Sequence, residues 1–241
     1  HLDRVEWITA LPDAIDGVLI ANEVLDAVPV DLVARRSGRW LERGVTWDDA
    51  RGGLAWSERP AGERLAATAA ARFPPDGDYS SEINPAGETL VEDIGRRLVG
   101  GAALWIDYGF PAAEYYHPQR SEGTLMCHYR HRAHSDPFAW PGLTDITAHV
   151  DFTAMAEAAE RAGLQVAGFT ALAPFLLGCR MLDALAATGR PESSAYIRAA
   201  AAVQKLLAPS EMGELFKVLA VARSEAIAWP GFDVADRRHR L

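Results

Sequence analysis

Residues 17 to 29 read GVLIANEVLDAVP, an apolar run that stops on Asn22 and Glu23, with Asp26 three residues beyond Glu23. Val18 to Ala21 shows no polar alternation, the pattern of a strand covered on both faces, and such strands belong to parallel sheets flanked by helices. This constrains the chain to an α/β architecture. Ligands of open α/β sheets bind outside the carboxyl ends of the strands, so Asn22, Glu23 and Asp26 stand where a site is expected. Their side chains suit a cofactor or a cationic substrate. Asn and Asp at such places also cap turns and helices.

The rest of the chain fits that frame. Arg4 to Ile8 is a strand candidate upstream of the first site. Asp31 to Trp56 alternates around Ser37-Gly38 and Arg51-Gly52-Gly53, which predicts a small antiparallel meander. Glu63 to Phe73 is Ala-rich and helical, and a Pro/Gly/Asp-rich loop from Pro74 to Tyr79 follows it. Asn84-Pro85 opens a helix that runs to about Leu98, with Gly100-Gly101 as its stop. Ala102 to Ile106 is a second buried strand, ending on Asp107-Tyr108-Gly109. The strand, helix, strand rhythm predicts a doubly wound sheet. Residues 111 to 150 are aromatic, His-rich and weakly periodic, as in a lid or binding loop. Beyond them come a helix from Phe152 to Ala162, a strand from Leu164 to Phe169, helices over Leu176 to Thr188 and Ser193 to Leu207, and a last strand from Phe216 to Ala222.

Composition removes several functions. A net charge of -9 and a pI near 5.3 argue against a nucleic-acid binder. No apolar run reaches the length of about 18 residues that a membrane helix needs. The two cysteines, Cys127 and Cys179, form no Cys-x-x-Cys pair and fit a reducing, cytoplasmic setting. His128, His131 and His134 beside Cys127 are zinc-type ligands, but Arg130 and Arg132 between them oppose a dication, so no metal is expected. Gly-x-Ser-x-Gly, GxGxxG and P-loop motifs are absent from the sequence. The chain opens His1-Leu2-Asp3-Arg4 without an initiator Met, so it is expected to be part of a longer protein.

Six segments taken together resemble the MidA-like SAM-dependent methyltransferases, a family that includes a mitochondrial protein arginine methyltransferase acting in respiratory-complex assembly. They are ANEVLDAVPV at 21 to 30, SEINPAGE at 81 to 88, LWIDYGF at 104 to 110, GTLMCHYRHRAHSDPF at 123 to 138, DITAHVDF at 145 to 152 and MGELFKVLAVA at 212 to 222. The resemblance implies a class I methyltransferase sheet, Rossmann-like, with its last strand reversed. It implies that the chain starts just before the third strand, lacks the amino-terminal portion with the glycine-rich SAM loop, and is one partial domain over residues 1 to 241. The stretches at about 31 to 80 and 111 to 150 would then be insertions. By the same resemblance, S-adenosyl-L-methionine is the cofactor, with Thr9, Ala10, Leu11 and Asn22 along it. Glu23, Asp26 and Glu82 would hold a guanidinium for methylation, and Asp107, Tyr108, His128 and Tyr129 would line the substrate side. The implied substrate is a protein, such as a respiratory-complex subunit, in the cytoplasm or, alternatively, the mitochondrial matrix. The competing reading is a non-catalytic assembly module that keeps the fold and binds through Tyr115 to Pro141, with Phe138 and Trp140 as anchors.

Overall fold

The computed structural model describes residues 5 to 130, 132 to 224 and 229 to 241. Ile15–Asn22 (β1) is followed by Asp31–Arg36 (β2), Arg39–Asp48 (β3), Gly53–Pro60 (β4), helix Glu63–Arg72 (α1) and Tyr79–Ile83 (β5). Helix Pro85–Arg97 (α2) runs directly into the long strand Leu98–Phe110 (β6). Next come Ala112–Tyr115 (α3), the short strands Met126–Tyr129 (β7), Arg132–His134 (β8), Asp145–Thr147 (β9) and Val150–Asp151 (β10), and helix Phe152–Arg161 (α4). The remainder is Gln165–Ala171 (β11), Leu172–Gly178 (α5), Met181–Ala186 (α6), Ser194–Leu207 (α7) and Phe216–Ala222 (β12).

The central sheet is ordered β1-β6-β12-β11, with β10 beside the far end of β6. β1 and β6 are parallel, whereas β12 runs antiparallel to both β6 and β11. A mixed α/β sheet with a reversed last strand is therefore present. Helices α2 and α4 cover one face over Trp105, Phe152, Met155, Phe169 and Leu219. On the other face α5 packs over Val218 and Ala220, joined by Phe232. The meander forms its own sheet, β4-β3-β2-β5, over a cluster built on Phe73, Tyr79, Ile83, Tyr115 and Tyr116. β8-β7-β9 is a third small sheet.

Four expectations are corrected. Val5 to Ile8 is not a strand, and Arg4 lies outside the described residues; among the described residues nothing pairs with this segment, and an extended chain with unpaired amides is not a strand. β1 is buried on one face only: Leu19 packs on the core, whereas Val18 and Ile20 are 57% and 67% exposed on the sheet's edge strand. Gly100 and Gly101 do not end a helix but lie inside β6, where a side chain on Gly101 would collide with the Gly17 carbonyl across the parallel pair. The helix expected over 176 to 188 is two helices, broken at Arg180 in the left-handed region (φ 61). β5 was hidden because all five of its residues are buried, including Ser80, Ser81 and Glu82, so its polar letters mimic a loop.

Asn84 caps α2 as the sequence implies, accepting a hydrogen bond from the Gly87 amide at 2.7 Å. Its Nδ2 also donates to the Leu25 carbonyl (3.3 Å), which ties the helix start to the turn after β1. Asn84→Ala removes both bonds and should lower unfolding stability by about 1–2 kcal/mol. Asn84→Asp keeps the cap acceptor, so urea titrations should place it between the wild type and the alanine variant.

Candidate functional site

The turn that follows β1 is shaped by a residue on the neighbouring strand. Asp107, buried near the end of β6, accepts hydrogen bonds through Oδ2 from the amides of Val24 (3.2 Å), Leu25 (3.0 Å) and Asp26 (3.3 Å). Its Oδ1 accepts from the Tyr108 amide at 3.0 Å. Three amides converge because Glu23 turns the chain sharply, holding φ at 50° while its own amide continues the ladder to the Ile106 carbonyl (2.9 Å). A left-handed glutamate costs about 1 kcal/mol or more and persists only where surrounding contacts over-determine it. Here Asp107 supplies those contacts. Burial, and then the charge of Asp26, push the Asp107 carboxyl from 3.8 up to about 7.

Asp26 is only 5% exposed. The Tyr108 hydroxyl donates to its Oδ2 at 2.5 Å, and its buried Oδ1 has no hydrogen-bond partner. Burial, followed by this bond to Asp26, raises the Tyr108 pKa and keeps the phenol protonated. Both residues line a cleft of about 720 Å³ with Glu23, His128, Asp145 and His149. The volume is that of a ligand site. Arg130 also lines the cleft, opposing the three carboxylates.

His149, like Arg130 and Asp145, lines the cleft without having been marked as a site residue by the sequence. Its ring stacks on Phe110 (5.4 Å, 6° between planes) and meets Tyr108 edge to face at 5.1 Å. Burial, with Arg120 and Lys217 nearby, holds its pKa down at about 4, so the ring is neutral near pH 7. In the sequence it was one histidine among several in a His-rich stretch. No spacing marked it, because its partners come from β6 and from segments remote in sequence.

The remaining site candidates fall elsewhere. Glu82 does not reach this cleft: it is buried in β5, where its carboxylate accepts from the amides of Thr124 and Leu125 (3.0 Å each) and the hydroxyls of Thr124 and Tyr115 (3.0 and 3.2 Å). It clasps the segment leading into β7. Asp107 is likewise occupied by backbone and shapes the cleft without lining it. Tyr129 points away from the cleft, because residues alternate along β7: His128 faces inward while Tyr129 stacks on Trp140 at 4.7 Å. Asn22 is exposed at the end of β1, its amide donating to Glu23 Oε1 at 3.1 Å. Thr9 and Ala10 are exposed, and Leu11 is half-buried against the core under β1. Of the two aromatic anchors, Phe138 packs on Trp56 (5.0 Å).

Residues 1 to 170 match the family model described as "Putative S-adenosyl-L-methionine-dependent methyltransferase". The chain belongs to this family. It is the MidA/NDUFAF7-like family, as the sequence motifs implied. A structure of a COG1565 superfamily member from Burkholderia thailandensis, solved with bound S-adenosyl-homocysteine, superposes with a TM-score of 0.95 at 48% identity, covering 100% of this chain and 62% of that one. The chain is 30% identical over 228 residues to the Drosophila melanogaster homolog of the mitochondrial protein arginine methyltransferase NDUFAF7, covering 89% of this chain and 49% of the relative. The Mus musculus NDUFAF7 is 29% identical over 227 residues, with 90% and 49% covered. The chain thus spans about half the length of the curated relatives it matches.

The raised Asp107 pKa makes a family-independent prediction. Between its ordinary value of 3.8 and about 7, the folded chain keeps a proton on Asp107 that the unfolded chain has released. The folded state binds more protons, so this group's contribution to stability falls as pH rises through that window and is level above it. Urea midpoints measured across the window should therefore decline more steeply with pH in the wild type than in Asp107→Asn.

Proposed function

We propose that this chain forms the acceptor side of a SAM-dependent protein arginine methyltransferase, with Glu23 and Asp26 holding the target guanidinium. The observation that carries this reading is Asp26: a buried carboxylate of a residue that lines the cleft, with one oxygen fixed by Tyr108 and the other, also buried, without a hydrogen-bond partner. A buried acceptor without a donor costs free energy until a ligand supplies one. Guanidinium presents five N–H donors in a rigid planar fork that matches carboxylates. The exposed Glu23, in its over-determined turn, stands at the same cleft to take a second edge of the fork. Support for arginine in particular comes from the fly and mouse relatives, which are named as protein arginine methyltransferases.

The cleft also fits the cofactor's charge, since Glu23, Asp26 and Asp145 outnumber Arg130 among its lining residues. SAM, when bound, supplies a methyl group on a sulfonium sulfur. On the protein side, Asn22, the exposed Thr9 and Ala10 and the half-buried Leu11 would form part of the cofactor rim. Tyr108 holds Asp26 in one rotamer, and neutral His149 adds no positive charge to repel a cationic acceptor. Positioning of this kind is the main contribution a protein makes to a methyl transfer that needs little acid–base help.

In this reading the sheet β1-β6-β12-β11 is the carboxy-terminal half of a class I methyltransferase sheet. Residues at about 31 to 80 and 111 to 150 would be insertions, a reading supported by the direct pairing of β1 with β6 and the separate sheets built by β2 to β5 and β7 to β9. The glycine-rich SAM loop would come from outside this chain, adjoining the edge of β1 where Val18 and Ile20 are exposed. Cys127 and Cys179 are both free, which supports a reducing compartment, cytoplasm or matrix. Among the described residues no helix is long and apolar enough to cross a membrane.

Asp26→Asn and Glu23→Gln in the full-length protein should each cut the rate of arginine methylation at least about tenfold, by weakening charge-assisted hydrogen bonds. Tritium transfer from labelled SAM to arginine-containing peptides measures this. Both variants should keep the wild-type melting temperature within a few degrees. Full turnover in the double variant would remove the two carboxylates from the mechanism.

A further inference from the structure

Two leucines from separate segments border the cleft, each exposed yet with its backbone held. Leu143 is 67% exposed and Leu215 is 49% exposed, and both line the cleft with the carboxylates. Exposed leucines are unremarkable singly, but these two border one site. Their backbones are pinned by separate polar networks.

Leu143 sits in a turn closed by hydrogen bonds from its own amide (2.9 Å) and the Thr144 amide (3.2 Å) to the Trp140 carbonyl. The Thr144 hydroxyl donates to the Ala139 carbonyl at 2.6 Å. Trp140, with φ at 51°, stacks on Tyr129 and meets His134 edge to face at 5.9 Å, which anchors the turn to β7 and β8. The second leucine, Leu215, directly precedes β12. Lys217 Nζ donates to the carbonyls of Glu214 and Leu215, and the Glu214 carboxylate takes two bonds from the Arg237 guanidinium. Phe216 then packs edge to face on Tyr108 at 5.5 Å, linking this segment to the partner of Asp26.

A ligand that were only a small cation would need the carboxylates and not the leucines. We propose that Leu143 and Leu215 form a docking surface for the apolar residues flanking the target arginine of an extended polypeptide, so that the site reads a basic residue set between hydrophobic neighbours. This rests on the arginine reading above and deepens it. Charge complementarity selects the occupant: Glu23, Asp26 and Asp145 outnumber Arg130 among the residues lining the cleft and favour a cationic side chain, while its apolar flanks cover the two leucines. Asp145 of β9, which among the described residues pairs only with β7, adds its carboxylate to the cleft lining. Both leucine backbones are already held, so docking spends little on fixing them.

The test uses two fluorescein-labelled peptides that differ only around a central arginine, with leucines flanking it in one and serines in the other. Their affinities for the full-length protein, saturated with S-adenosyl-homocysteine, are measured by fluorescence anisotropy. The leucine-flanked peptide should bind at least about tenfold more tightly, as expected for burying leucine side chains. The double substitution Leu143→Ser/Leu215→Ser should erase the difference, with circular dichroism melting as the check on folding. Equal affinities in the wild type, or a preference that survives in the double variant, would overturn the docking surface. If wild-type protein still methylates the serine-flanked peptide, the arginine reading stands apart from that failure. Absence of both binding and methylation for both peptides would overturn the two together.

Discussion

The carboxylate of Asp107 organises the end of the central sheet. A strand that stops at its carboxyl edge leaves a run of amides with no ladder to join, and at β1 those amides belong to Val24, Leu25 and Asp26. Asp107 gathers all three from the adjacent strand. Its burial penalises its charge, and the nearby Asp26 penalises it further. The geometry nevertheless lets one side chain set the φ of Glu23, the position of Asp26 and the start of the peptide that crosses to the meander. Everything placed in the cleft hangs from that turn.

A second carboxylate does the same work for the lobe opposite. Glu82, on a strand with no exposed residue, meets the amides of Thr124 and Leu125 and the hydroxyls of Thr124 and Tyr115. The Thr124 hydroxyl in turn accepts from the His149 amide at 3.0 Å. The clasp therefore carries from the meander through Thr124 to the backbone of His149, whose ring lies on the cleft wall. Among the described residues, the buried acids Glu82, Asp107 and Asp151 each accept hydrogen bonds from protein donors that hold the backbone in place, and Asp26 differs in how far protein donors occupy its oxygens. For Asp26 one oxygen is left without a partner.

Much of the fold was legible in the residues. The meander over 31 to 56, the capped helix from Asn84, and the strand at Phe216 to Ala222 follow from alternation, capping chemistry and apolar runs, all of which are local. Local signals failed where polar letters were buried by distant partners, as in β5, and where glycines served a close interstrand approach inside β6. They failed again at Arg180, where a left-handed residue splits one helical pattern into two. At the site, Glu23, Asp26, Tyr108 and His128 were all legible and do converge. Tyr129 lost its place to strand alternation, and His149 gained one through ring contacts that no spacing encodes.

The sequence by itself determined the family, through long motifs in order, and the kind of sheet, through two apolar strands that end in polar clusters. It could name the acids but not sort them. Only the tertiary structure decided that Asp107 and Glu82 are satisfied by backbone and hydroxyl donors, whereas Asp26, which lines the cleft, keeps one oxygen without a partner. The reason is physical: a carboxylate's role depends on which donors reach it, and those donors lie 42 residues from Glu82 and about twice that from Asp107 along the chain.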